Sequence, residues 1–247
     1  ATSALNRHDD ALRYYTDFLR QYPQSRRVRS ARYGSGWSQL QLRRYDDAIN
    51  SFRQVEQGLD SVAAAASYQI GAIQILRGDT AAAVATFQAV LYRLPYESFS
   101  DNAYYQLARI HYRRANYDSA RHYFQIVARQ FPQSELRQDA YYLLGESYAS
   151  LGDFPNAEYA FARTRRITEQ GPLLQRALYR EGVMLYKEGR FTSSVDRLRQ
   201  YVSEHPNGAD IDNATFWLAE ALYQARSYPE AERYYANVVE QREASPW

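Results

Sequence analysis

Catalysis needs reactive side chains brought close together, and this chain carries such residues thinly. Its 247 residues include 4 His, 1 Met and no Cys, which excludes disulfides and thiolate metal sites and leaves the compartment open. His8, His111, His122 and His205 are scattered, with no His/Asp/Glu set at metal-ligand spacing. Gly145-Glu146-Ser147-Tyr148-Ala149 approaches a nucleophile elbow but lacks the closing glycine and lies in a helical pattern, not after a strand. No Gly-rich segment follows a strand, so a phosphate cradle is not expected. Asn213-Ala214-Thr215 fits the glycosylation sequon but opens a patterned helix. The residues predict no catalytic group, no metal and no cofactor.

What the chain does carry is aromatic side chains: 24 Tyr, 10 Phe and 3 Trp. Tyr and Trp give large amphipathic contact area at low entropic cost, which suits recognition better than reaction. The 30 basic residues, of which only Lys187 is lysine, nearly balance 28 acidic ones. A formal charge of +2 gives no general pull toward nucleic acid or a membrane surface. A mean hydropathy of −0.64 and no apolar run near 18 residues argue against a membrane-spanning helix. No targeting signal is readable. The length allows one large domain or two small ones with a substantial core.

The elements that position these aromatics repeat. Ala31, Ala66, Ala103, Ala140, Ala177 and Ala214 are spaced by 35, 37, 37, 37 and 37 residues. Two residues after each stands an aromatic: Tyr33, Tyr68, Tyr105, Tyr142, Tyr179, Phe216. Five after stands Gly or Ala, as in Gly36, Gly71, Ala108, Gly145, Gly182 and Ala219. Seventeen after, a small residue returns (Ala48 to Ala231), and twenty-one after comes a large apolar one: Phe52, Phe87, Phe124, Phe161, Leu198, Tyr235. Ala11, Tyr15 and Phe18 match Ala48, Phe52 and Val55, so a half unit over 8–22 leads six full units at about 29–60, 64–95, 101–132, 138–169, 175–206 and 212–243. His111 takes the place that Tyr148 fills one unit on, which makes it an aromatic substitute.

Each unit reads as two helices, the first over about 102–114 and the second over about 118–130 in the cleanest copy. Between them Gly78-Asp79, Ala115-Asn116, Gly152-Asp153 and Gly189-Arg190 offer a left-handed C′ residue and, in three cases, an Asp or Asn cap. Pro155 and Pro229 suit the first turn of second helices, while Pro95, Pro132 and Pro206 stop them. Ser25, Ser98 and Ser134 are placed to cap the next first helix. The small residues let two backbones approach, and the large apolar residue fills the gap they leave. Such a hairpin cannot bury its own apolar face, so hairpins must stack. No run alternates long enough for a sheet, and the fold class expected is an all-α solenoid of antiparallel helix pairs.

Tyr104, Leu107, Ala108, Tyr117, Ala120, Phe124, Val127 and Pro132 in one unit resemble the tetratricopeptide repeat, as do Tyr141, Leu144, Gly145, Tyr148, Gly152, Phe154, Ala157 and Phe161 in the next. The resemblance covers about residues 8–241 and implies a right-handed superhelix. Two departures stand out: a unit of 37 residues where about 34 is usual, and Ser35 and Glu181 at positions usually apolar. The junctions Gln21-Tyr22-Pro23-Gln24-Ser25, Gln130-Phe131-Pro132-Gln133-Ser134 and Glu204-His205-Pro206-Asn207-Gly208 resemble those of the CpoB/YbgF and BamD families. That likeness implies a bacterial cell envelope, with the chain facing the periplasm.

At about 100° per residue, the positions two, six and nine after each alanine face away from the partner helix. In tetratricopeptide proteins this face lines the concave groove, which makes Tyr33, Trp37, Tyr68, Tyr105, Arg109, Tyr112, Tyr142, Glu146, Tyr179, Tyr186, Phe216 and Tyr223 the expected partner-binding residues. The same aromatics could instead support the neighbouring helix. A carboxylate clamp is not expected, because it needs Lys and Asn where this face has pairs such as Tyr33/Trp37. Mixed charges (Arg109, Arg113, Glu146, Lys187, Glu220) speak against a polyanion track. The leading expectation is a non-catalytic scaffold for peptide or helix segments of other proteins. Glycan binding, with Tyr142/Glu146 and Phe216/Glu220 as its support, and a helical arm of a larger enzyme remain alternatives. The half unit and the uncapped last unit suggest ends that dock in an oligomer or belong to a longer chain.

Overall fold

In the computed structural model, residues 2–96 and 99–244 are described, with side chains over 7–96 and 99–239. The described residues form α1 (Thr2–Gln21), α2 (Val28–Gln41), α3 (Tyr45–Arg53), α4 (Ser61–Leu76), α5 (Thr80–Arg93), α6 (Ser100–Arg113) and α7 (Tyr117–Gln130). They continue with α8 (Arg137–Ser150), α9 (Phe154–Ile167), α10 (Pro172–Lys187), α11 (Phe191–Glu204), α12 (Ile211–Gln224) and α13 (Tyr228–Ala244), and include no strand. The class is an all-α helical-repeat solenoid. Two compact units, Ala1–Ile110 and His111–Trp247, divide within α6. Inside each unit a first helix packs on its own second helix and on the second helix before it, as α10 does on α11 and α9. Successive first helices also touch: α2 with α4, α8 with α10, and α10 with α12.

In three pairs the closing contact is a ring against bare backbone; in a fourth Leu198 takes the ring's place, and in the other two Ala108 and Ala219 stand where the glycine would be. A Cβ added to Gly71 would lie 2.4 Å from Phe87 Cε1, and one on Gly145 would lie 2.8 Å from Phe161 Cε1. Gly36 meets Phe52 and Gly182 meets Leu198 in the same way. Phe52, Phe87, Phe124, Phe161 and Leu198 are completely buried, and each such side chain contributes about 2–3 kcal/mol by leaving water. The glycine is needed because the ring occupies the space a methyl group would take.

The turns repeat as faithfully as the core. Arg43, Gly78, Ala115, Gly152, Gly189 and Arg226, each twelve residues after its alanine, have φ of 59°, 81°, 56°, 77°, 77° and 63°. The next residue's N–H reaches back across the helix end, as Asp79 N does to Gln74 O at 2.9 Å and Asp153 N to Tyr148 O at 3.0 Å. This is the Schellman closure, which satisfies carbonyls the helix would otherwise leave open. Asp79, Asn116 and Asp153 then cap the second helix by accepting from Ala82 N, Ser119 N and Asn156 N.

Several expectations need correction. Ser25 and Ser134 do not cap α2 and α8 directly; they accept from Arg27 N and Leu136 N and so cap the short turn that leads into each helix. Ser98 lies outside the described residues. The leading helix starts at Thr2, earlier than the half unit requires. Between α3 and α4, where Gly58-Leu59-Asp60-Ser61 stands in place of a proline junction, α3 ends early at Arg53, and Asp60 caps α4 through Ala63 N while Arg29 binds the Asp60 carboxylate and Val55 O. A second irregular linker was not anticipated. Gly171, at φ 99°, turns the chain so that Pro172 opens α10.

Replacing Gly71 by Ala should cost about 1–3 kcal/mol in urea unfolding, because Phe87 must shift. A Gly71→Ala, Phe87→Ala double variant should fall short of the sum of the single costs. At the turns, Ala115→Gly should gain up to about 1 kcal/mol and Gly152→Ala should lose at least as much, by the steric cost of a Cβ in the left-handed region.

Candidate functional site

In three pairs the tyrosine two after the alanine is set by the same buried ring. Tyr33 leans on Phe52 (5.4 Å between centroids), Tyr68 on Phe87 (6.0 Å) and Tyr142 on Phe161 (5.4 Å). Tyr179 packs instead on Tyr201 at 5.9 Å. These tyrosines are half-buried, and Tyr105 is buried beneath the Arg109 guanidinium. They support the helix pair and keep only part of each ring in water. The well exposed members of the predicted set are Trp37 (41%), Phe216 (40%) and Tyr223 (52%).

In the first unit this face carries no charge on α2 or α4. Trp37 and Leu40 on α2 share it with Tyr68, Ala72, Ile75 and Leu76 on α4. Burial raises the Tyr33 phenol above its ordinary pKa, and a hydrogen bond with Gln69 opposes this.

In the second unit the same positions are polar and wired from one first helix to the next. Glu146 on α8 receives both arms of Arg180 on α10, at 2.7 and 3.0 Å. Glu220 on α12 accepts from Tyr186 on α10 (3.3 Å) and from Tyr235 on α13 (2.7 Å). Arg176 stacks over Tyr142 at 5.1 Å and Lys187 over Trp217 at 4.8 Å, while Trp217 lies 5.0 Å from Tyr186. Burial raises Tyr112, Tyr142 and Tyr186, and a nearby carboxylate raises them further: Glu146 for Tyr112 and Tyr142, Glu220 for Tyr186. All three act as neutral phenols near pH 7. The carboxylates that would flank aromatics in a glycan site are therefore already hydrogen-bonded to the protein.

Of the predicted set, α8, α10 and α12 thus join Tyr142, Glu146, Tyr179, Tyr186, Phe216 and Tyr223 on successive first helices. The prediction omitted Arg180, Trp217, Arg176 and Tyr235. Arg180 and Trp217 each stand three after their alanine, and their 37-residue spacing could have exposed them. Among the described residues no His, Asp and Glu cluster is arranged to hold a metal, and no helix is long and apolar enough to cross a membrane. Ser147 is buried within α8 and donates to Leu143 O at 2.7 Å. His111 stacks on Tyr123 (5.6 Å), and burial lowers its pKa, with Arg114 adding to the effect.

The departure at Glu181 has a structural account. Its carboxylate, 2% exposed, lies 2.8 Å from Arg165 Nε on α9 and 2.9 Å from Arg197 Nε on α11. It clasps three consecutive helices. Truncating it should strand the guanidiniums and cost about 3 kcal/mol, measured as Glu181→Ala in urea. Glu158 nearby is raised chiefly by burial and then by Glu181. Its folded pKa exceeds the unfolded one, so the penalty on its charged form is absent in acid and complete above the folded pKa. Glu158→Gln should therefore stabilise the protein at pH 7 and lose that advantage toward pH 4, read from paired urea titrations.

The sequence profile of the tetratricopeptide repeat matches residues 3–58, 33–98, 105–172 and 179–246. No curated protein sequence matches the chain. Among solved structures, the C-terminal part of a TPR repeat-containing protein from Cytophaga hutchinsonii superposes with a TM-score of 0.65 at 15% identity, over 95% of this chain and 90% of that one. YrrB, described as a TPR protein with an unusual peptide-binding site, gives 0.63 at 16% identity over 79% and 91%. Pseudomonas aeruginosa PilF gives 0.55 at 15% identity over 88% and 93%. The helix pairs, their ring-on-glycine closure and the profile match along nearly the whole chain agree, and the protein belongs to the tetratricopeptide repeat family.

Proposed function

We propose that this protein is a non-catalytic scaffold whose first-helix faces receive segments of partner proteins. The observation that carries the reading is exposed aromatic surface on the first-helix faces of each unit, which in the second unit have their carboxylates already paired. Trp37, Phe216 and Tyr223 keep 41%, 40% and 52% of their surface in water, while Glu146 and Glu220 are held by Arg180, Tyr186 and Tyr235. A frame ordered in advance loses little entropy when a partner docks, and aromatic anchors are where binding energy concentrates. YrrB, similar in fold, is itself described as carrying a peptide-binding site.

The setting we propose is a bacterial cell-envelope assembly, on the periplasmic side. Its support is the Tyr/Phe-Pro-Gln-Ser junctions at Tyr22–Ser25 and Phe131–Ser134, which resemble those of envelope members of the family. Fractionation of the source cells tests this part, and a protein confined to the cytosolic fraction would overturn it.

The binding reading is tested by affinity capture from envelope extract with the protein and its Trp37→Ala, Phe216→Ala, Tyr223→Ala variant. These side chains are exposed, so helicity and unfolding midpoint should hold. A partner retained by the parent should bind the variant at least about 30-fold more weakly, as loss of anchors worth about 2 kcal/mol or more implies. Equal retention by both proteins would place the site elsewhere.

A further inference from the structure

The two units offer different chemistry on equivalent faces, and the first holds an aromatic of its own there. On α2 and α4 the positions that carry Glu146, Arg180, Lys187 and Glu220 in the second unit are occupied by Trp37, Gln69, Leu76 and Ala72. Leu76 is 66% exposed and Trp37 is 41% exposed, although each could have been polar at no cost to the core. Exposed large apolar residues gathered on one face mark an interaction surface. Phe99, in the turn before α6, lays its ring on Tyr68 at 5.5 Å and 22° while keeping 37% of its own surface in water. Its backbone sits at φ 70°, a left-handed conformation rare for a bulky residue. Among the described residues every other positive-φ residue outside glycine (Arg43, Ala115, Arg226) belongs to a repeating helix closure, and Phe99 does not.

We infer that the α2–α4 face of the first unit binds an uncharged protein segment that places one aromatic side chain on Tyr68, in the seat Phe99 holds, and rests apolar neighbours on Trp37 and Leu76. The inference rests on the scaffold reading above and adds the chemistry of the segment. A charged segment finds no ion-pair partner among Trp37, Leu40, Tyr68, Ala72, Ile75 and Leu76, and desolvation costs it. An aromatic ring reproduces the stacking Phe99 makes without holding the chain in a disfavoured conformation. The competition is intramolecular, so the empty seat is a fraction of the population and apparent affinity is reduced by that fraction.

The test uses the full chain and three synthetic peptides: Ac-Ser-Leu-Ser-Phe-Ala-Leu-Ser-amide, the same peptide with Ala for Phe, and the same peptide with Glu for each Ser. Binding is followed by NMR at the Trp37 indole N–H, assigned with Trp37→Phe. The neutral Phe peptide should shift that signal, and the Ala and Glu peptides should bind at least about ten-fold more weakly. Phe99→Gly, which accepts φ 70° without strain, should tighten the neutral peptide several-fold at unchanged helicity. Equal binding of all three peptides, no binding at millimolar concentration, or an affinity indifferent to Phe99→Gly would each overturn the inference. Capture that depends on Phe216 and Tyr223 alone would leave the scaffold reading standing while this one falls.

Discussion

The packing of this protein rests on a large apolar side chain lying against a backbone with little or nothing to obstruct it, glycine in four pairs and alanine in two. Phe87 can reach within van der Waals distance of α4 only because Gly71 is there, and Phe161 approaches α8 over Gly145 in the same way. That contact sets how closely the two helices of a pair come together. It also sets what the outer surface looks like, because Tyr68 and Tyr142 lean on the flank of the same rings. The first-helix face is thus an extension of the core: its tyrosines are placed by apolar packing that water cannot disturb.

A second layer, made of charge and hydrogen bonds, distinguishes one pair from the next. In the second unit Arg180 reaches Glu146, Tyr186 reaches Glu220, and Arg165 and Arg197 enclose Glu181. The Arg180–Glu146, Tyr186–Glu220 and Arg165–Glu181 bonds join neighbouring pairs and act on their register, while Arg197–Glu181 ties α10 to its own second helix. Half-buried forks of this kind are stronger than surface ion pairs, since both partners are shielded and geometrically matched. The first unit links α2 to α4 on this face through the uncharged hydrogen bond of Tyr33 with Gln69. Its main cross-link ties the irregular linker, through Arg29 and Asp60, and leaves the inner face apolar.

Nearly all of the fold was legible in the sequence because it repeats. One Gly or Ala five after an alanine says little, but its return in every copy, always with Phe, Leu or Tyr sixteen residues further on, fixes the hairpin. The closing turns were legible where Gly78, Gly152 and Gly189 mark them, but those at Arg43 and Arg226, which also take a positive φ, carry no glycine to signal them and were missed. The surface was less legible. A helical wheel tells which way Tyr142 points but not that Arg176 covers it or that Glu146 is consumed by Arg180, since those partners sit 34 residues on. The linkers were least legible: Ser25 and Ser134 bind the lead-in turn because two extra residues intervene before the helix. Spacing alone does not decide between those registers.

The links between pairs bear on how such an array can evolve. Repeat proteins gain and lose copies by unequal recombination, and a loss of one 37-residue copy between Glu146 and Arg180 would carry Trp217 into the place of Arg180. Glu146 would then face an indole, and its half-buried charge would have no counter-ion. The same event would break the Tyr186–Glu220 bond or pair one of its members with a stranger. Copies that look interchangeable by their core residues are therefore individually addressed by their polar ones, and the number and order of pairs in the second unit become inherited as a set.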